Sequence, residues 1–318
     1  MNPKAPQPAS VSVTLPVTLA IERVRCMLFR PFDLGRWFVI GFCAWLATLG
    51  QGASGASFRF PGRFGNADWH NTFEEARHFV LNNLHWIVAL AVVLALVGVV
   101  LWVVFIWLSS RGRFMFLHCV ALNKAEVKAP WHAFAPQGNS LCWFRLVVHL
   151  IGMAVILPLL LLLAVLLVGM IRHESAEMAG ILGVIGLGLA ALAGALVFIL
   201  VGKLTTDFVV PIMVLRSSLC LAAWKECFAL LAANFWRLVL YLLFQVVLGI
   251  LICLLVLTVV IVTCCCAGCL MAIPYLGTVL LLPILVFGRA YSVYYLAQYG
   301  PTFDVFLPSE QPTSTSAA

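Results

Sequence analysis

Charge is what this sequence has least of: Asp, Glu, Lys and Arg make up 10% of its 318 residues, where about a quarter is usual for soluble domains. Hydrophobic residues reach 64% and the mean hydropathy is +1.08, so an ordinary soluble core is excluded. Acids are missing from the interior of every long apolar run, which argues against a proton-coupled carrier or pump. Catalytic signatures are missing as well. There is no GxSxG, P-loop, HExxH or GxGxxG, and with them goes any sign of nucleophilic, phosphate or zinc-hydrolase chemistry. No cleavable signal opens the chain, because MNPKAPQPASVSVT is polar and Pro-rich and no short apolar region with a small-residue cleavage site follows it.

What the sequence does have is long charge-free stretches. None of the four charged residue types falls between Arg36 and Arg59, Arg77 and Arg111, Arg145 and Arg172, Glu177 and Lys203, or Arg237 and Arg289. Each gap accommodates a helix of about 20 apolar residues, and the last accommodates two. The expected fold is therefore all-α, a polytopic integral membrane protein with spans near residues 37–54, 84–108, 147–171, 178–202, 238–262 and 270–290. The runs are continuously apolar, whereas a membrane β-strand would alternate. Trp86 and Trp107 stand a helical distance of roughly 31 Å apart, which suits two interfacial belts. A single membrane domain over residues 15–300 would lie between disordered tails at 1–14 and 301–318.

Positive charge is lopsided. Six spans put fifteen Lys and Arg residues on the side of the termini and four (Arg59, Arg63, Arg77, Arg172) on the other, so both ends are expected in the cytoplasm of a bacterial inner-membrane protein. The net charge of +7 thus has a membrane explanation, and nucleic acid is not an expected partner.

WFRLVV (Trp143–Val148) and FWRLVL (Phe235–Leu240) each open a span, and GRWFVI (Gly35–Ile40) is a looser version. Amphipathic pieces precede them, VTLAIERVRCMLF and SSLCLAAWKECFALLAANF, with the spacing of helices lying along the inner leaflet. These recurrences suggest a threefold repeat of an interfacial helix followed by a helical hairpin. In span four, Gly186, Ala190 and Gly194 share a face with Ala179 and Gly183 and read as a packing seam.

Four segments, LFRPFDLGRWFVIGFCAWLA, SSRGRFMF, DFVVPIMVL and LLPILVFGRAYSVYYLAQYG, carry a resemblance that covers all but the tails. The chain resembles a family of uncharacterised bacterial multi-pass membrane proteins, distantly similar to the membrane domain of some glycerophosphoryl diester phosphodiesterases. That resemblance implies a six-helix bundle and no established activity. The soluble catalytic barrel of those relatives has no room in this sequence.

Candidate chemistry is sparse. Cys264, Cys265, Cys266 and Cys269 are expected at an outer turn, where a second ligand pair for tetrahedral zinc is wanting. They read as packing residues, and whether they are free or oxidised is open. Asp68, His70, Glu74, His78 and His85 in the first outer loop lack a recognised ligand spacing and read as a solvated face. The ionisable His149 and the neutral amide of Gln245 are singled out within the spans, and His149 reads as an interhelical hydrogen bonder. Arg111, Asp207 and Arg289 occupy equivalent cytoplasmic ends of the three descending spans. They form a buried ionic cluster or a seat for an anionic lipid head, or else each snorkels to water.

Neither a catalytic residue nor a cofactor is expected. The leading functional expectation is a noncatalytic binding, scaffold or accessory protein acting on membrane lipids, anionic ones included, or on a protein partner or second copy. The alternative is a transporter or channel for an apolar or amphiphilic solute.

Overall fold

The computed structural model describes residues 12–30, 32–49, 82–173, 178–263 and 266–306, and these are helical, with no strand among them. In chain order the helices are α1 (Leu15–Val24), which runs on into a wide π turn (Arg25–Phe29), α2 (Leu34–Thr48), α3 (Leu84–Leu122), α4 (Lys128–Ala133), α5 (Ala135–His173) and α6 (Met178–Leu204). A second π turn (Thr205–Val209) joins α6 to α7 (Val210–Arg216), followed by α8 (Cys220–Ala233), α9 (Phe235–Val262), α10 (Cys266–Ala272), α11 (Pro274–Leu280) and α12 (Leu282–Ala297).

Among the described residues four helices are long and apolar enough to cross a membrane: α3, α5, the continuous run from α6 through α7, and α9. They contain the expected spans two to five. The expected first and last spans look different. α2 has 15 residues, about 22 Å of helix, which is short of a roughly 30 Å hydrocarbon core. The last is broken into α10, α11 and α12, with Pro274 and Pro283 at the breaks. Proline lacks the N–H that would continue the ladder across each break.

The core gathers at one end of the long helices. Phe114, Met115, Leu117 and Val120 of α3 pack with Phe208, Ile212 and Met213 around the π turn and with Tyr241, Tyr291 and Tyr295 of α9 and α12. The remaining lengths of the four helices present leucine, isoleucine and valine outward along almost their whole surface, as a lipid-facing helix does.

α2 starts where the Asp33 carboxylate caps the Gly35 N–H. It then runs antiparallel along residues 109–123 of α3. Arg36 donates to the Asn123 carbonyl at 2.9 Å at one end, and the Ser109 hydroxyl donates to the Ala47 carbonyl at 3.0 Å at the other. Gly112 makes the approach close enough: a Cβ there would lie 2.6 Å from the backbone nitrogen of Ala47. α2 therefore flanks the continuation of α3 beyond its apolar length.

Helices do form where pieces were expected to precede spans one and five, as α1 and α8. α1 buries Ala20, and the π turn that continues it buries Leu28. Arg23 of α1 donates to the carbonyls of Val120 and Ala121. Before α1, Ser12 exchanges two hydrogen bonds with the Gln298 side chain. After α12, Phe306 stacks on Tyr294 at 4.1 Å. Residues 1–11 and 307–318 of the expected tails lie outside the described residues.

The small-residue seam of α6 is not a contact within the chain along its whole length. A Cβ on Gly194 would just touch Ile156 at 4.0 Å, and one on Gly186 would meet nothing within 4 Å.

Candidate functional site

The second π turn builds the site. Pro211 cannot donate to the Asp207 carbonyl, and the Thr205 and Thr206 hydroxyls bond back to the carbonyls of Val201 and Gly202 at 2.6 and 3.0 Å. Both effects loosen the i→i−4 ladder, and the helix widens over Thr205–Val209. The widened turn carries Asp207 inward, where it is 7% exposed.

Asp207 is satisfied from two sides. Lys203 Nζ lies 2.9 Å from Oδ2, and the Tyr241 hydroxyl donates to the same oxygen at 3.1 Å. Gln245 Nε2 in turn donates to the Tyr241 oxygen at 2.7 Å. Tyr241 is fixed by its neighbours, stacked on Tyr291 at 5.8 Å and packed against Tyr295 at 4.4 Å and Phe208 at 5.1 Å. A buried ring held on three sides can aim its hydroxyl without further loss of rotamer freedom.

Three guanidinium groups surround this pair and outnumber it in charge. Arg145 donates to the hydroxyls of Ser109 and Ser110, each at 3.1 Å. Arg289 donates to the Thr206 carbonyl, and its Nη2 is buried with no partner. Arg113 is 4% exposed, donates no hydrogen bond among the described residues and has a buried, unpartnered Nε. It lies within electrostatic reach of Arg145, Arg289 and Asp207. With Asp207 balanced by Lys203, three positive charges remain without a counter-charge among the described residues. Each uncompensated buried ion carries a penalty of several kcal/mol by the usual order of magnitude.

Two cavities rest on this floor. One, about 670 Å³, lies between α6, α9 and α12, walled by Leu196, Leu242, Val246 and Ile284 and floored by Arg113 and Arg289. The other, about 780 Å³, lies between α5 and α6, walled by Met153, Ile156, Leu160 and Phe198 and floored by Arg113 and Arg145. Arg113, Ile199, Lys203, Thr206 and Asp207 line both. Each is an apolar cleft with a cationic end, a shape that suits an amphiphile with an anionic head.

Of the three residues singled out from sequence, Asp207 and Arg289 meet on this floor. Arg111 does not join them: its guanidinium lies over the rings of Trp107 and Trp131 at 4.6 and 4.8 Å and reaches Asn139 at 3.3 Å. Arg113 and Arg145 take the places that the sequence reading left empty. His149 borders the second cavity, and its Nδ1 lies 2.6 Å from the Arg145 carbonyl within its own helix.

Cys264 and Cys265 lie outside the described residues, as do Asp68, His70, Glu74 and His78; Cys269 is exposed and free. Among the described residues no group of three metal-ligating side chains assembles.

A family model described as a family of unknown function, DUF7544, matches residues 13–299. No curated protein and no solved structure matches the chain.

Proposed function

We propose that this chain, which belongs to the DUF7544 family, is a noncatalytic membrane protein that binds an anionic amphiphile, a lipid of its own bilayer. The observation that carries this is the pairing of two apolar clefts with one floor on which buried guanidinium groups outnumber acids. An anionic head group would relieve the mutual repulsion of Arg113, Arg145 and Arg289, and the clefts would take its apolar part.

The test is native mass spectrometry of the full chain extracted in a mild detergent. Anionic lipid should survive activation on the wild type and be lost from an Arg113→Gln, Arg289→Gln variant. Retention of zwitterionic lipid alone would sink the reading.

A bacterial inner membrane, cytoplasmic termini and six crossings belong to the same proposal. Leu49 lies beside the floor end of α3, whereas Leu84 begins the far end, about 37 Å of helix from Ser109. Likewise α9 leaves the floor at Tyr241 and ends at Val262, and the chain returns to the floor at Arg289. The distant likeness to the phosphodiesterase membrane domain enters this proposal as an expectation of fold alone.

Passage of the amphiphile from leaflet to leaflet is the second reading, favoured by the floor residues that the two clefts share. Transfer of a fluorescent anionic lipid between leaflets of reconstituted vesicles separates it from simple binding.

A further inference from the structure

The geometry points to a two-chain phosphomonoester lipid as the occupant: we infer that its dianionic phosphate sits at Arg113 and its chains lie one in each cleft, on either side of α6. The inference rests on the lipid-binding reading above and specifies its ligand.

Charge selects the head group. Arg113 lines both clefts, Arg289 closes the first and Arg145 the second, and Asp207 is already taken up by Lys203 and Tyr241. A phosphodiester brings a single negative charge to these three guanidinium groups. A phosphomonoester brings about −1.5 to −2 at neutral pH, together with three terminal oxygens that accept N–H donors from separate directions. The free donors are there: the Nε of Arg113 and the Nη2 of Arg289 are buried and unpartnered, in side chains 4% and 6% exposed.

Shape selects two chains. Ile199, Lys203, Thr206 and Asp207 recur at i, i+4, i+7 and i+8 along α6 and its π turn and line both cavities. They form a ridge with one cleft on each side. The clefts are similar in size, about 670 and 780 Å³, and their walls are apolar. A molecule that branches at its head fits astride such a ridge, and a single chain would leave one apolar cleft unfilled.

The experiment is competitive loading of the delipidated full chain, read by native mass spectrometry. The probes are dioleoyl phosphatidate, dioleoyl phosphatidylglycerol, oleoyl lysophosphatidate and inorganic phosphate. Phosphatidate should be retained roughly tenfold better than phosphatidylglycerol, as expected when charge-assisted bonds to the second charge are lost. It should also outlast lysophosphatidate and resist millimolar inorganic phosphate. Ile156→Trp, which fills the second cleft from an apolar wall and leaves the floor intact, should lower phosphatidate to the level of lysophosphatidate. Arg113→Gln should abolish the preference for the monoester.

Equal retention of phosphatidylglycerol would overturn the monoester assignment and leave lipid binding standing. Lysophosphatidate binding as well as phosphatidate would overturn the two-chain assignment. Displacement by inorganic phosphate would make the site one for free phosphate. Failure of every lipid to bind would overturn this inference and the proposed function together.

Discussion

Asp207 is one carboxylate among four cations, and its two contacts set how it behaves. Tyr241→Phe removes the hydroxyl that donates to it at 3.1 Å. The variant should lose roughly 1 kcal/mol of stability, the net value of a hydrogen bond, and melt a few degrees lower in detergent. A wild-type melting profile would show that the bond contributes nothing. Cysteines divide by burial. Desolvation pushes the thiols of Cys220 and Cys227 up to about 12, with the Glu226 charge adding to it at Cys227, whereas Cys26 is exposed. At pH 7.5 the two buried thiols hold more than roughly a thousandfold less thiolate than an ordinary cysteine. Iodoacetamide should therefore mark Cys26 before Cys220 and Cys227 on the folded protein, and peptide-level labelling of the three at equal rates would contradict the burial. Asp207 was legible as a lone carboxylate just past an apolar run, and Arg289 as the lone charge that ends one. Arg113 was not, although helical phase held a hint. It shares a face with Ser109 and Ser110, small residues that admit a close neighbour, whereas Arg111 has Trp107 one turn away to lie on. Arg145 looked like a boundary residue because the aromatics of WFRLVV suit an interface equally well.

Helices seven and more turns long were readable from apolar length alone, which is why α3, α5, α6 and α9 fall where the charge gaps put them. Broken and short elements were not. The stop of α2 at Thr48 and the breaks of α10–α12 depend on tertiary contacts and on where proline removes a donor, and hydropathy averages over both. Widening of α6 at Thr205–Val209 was hidden for the same reason, since its cause is local hydrogen bonding. The α2–α3 contact offers a direct check. Gly112→Ala would place a methyl 2.6 Å from the α2 backbone at Leu46 and Ala47, which has to move. Overpacking of this kind costs about 1–3 kcal/mol, so the variant should melt lower or insert poorly. Gly98, which would meet nothing within 4 Å, is the control: Gly98→Ala should be neutral or better in thermal stability. Equal melting points for the two variants would refute the close approach.

At the scale of the molecule, the proposed six crossings would put both termini on one side, and the charge count would make that side the cytoplasm; Ser12 bonded to Gln298 brings residues near the two ends together. Reporter fusions at both ends should be active in the cytoplasm and silent outside. Activity on opposite sides would mean an odd number of crossings. What composition could not convey is that the two halves of the long helices differ, one end enclosed with charge and the other bare to lipid.

The clasp between Ser12 and Gln298 also bears on biogenesis. Its partners are 286 residues apart, so α1 leaves the ribosome long before α12 exists to receive it. At about 5–20 residues per second the wait is on the order of tens of seconds. Over that interval Arg113 and Arg145 are already synthesised and Arg289 is not. The ionic floor is thus among the last parts of the molecule to close, just before the clasp itself, and a nascent chain stalled before α12 would be the form that quality-control proteases meet.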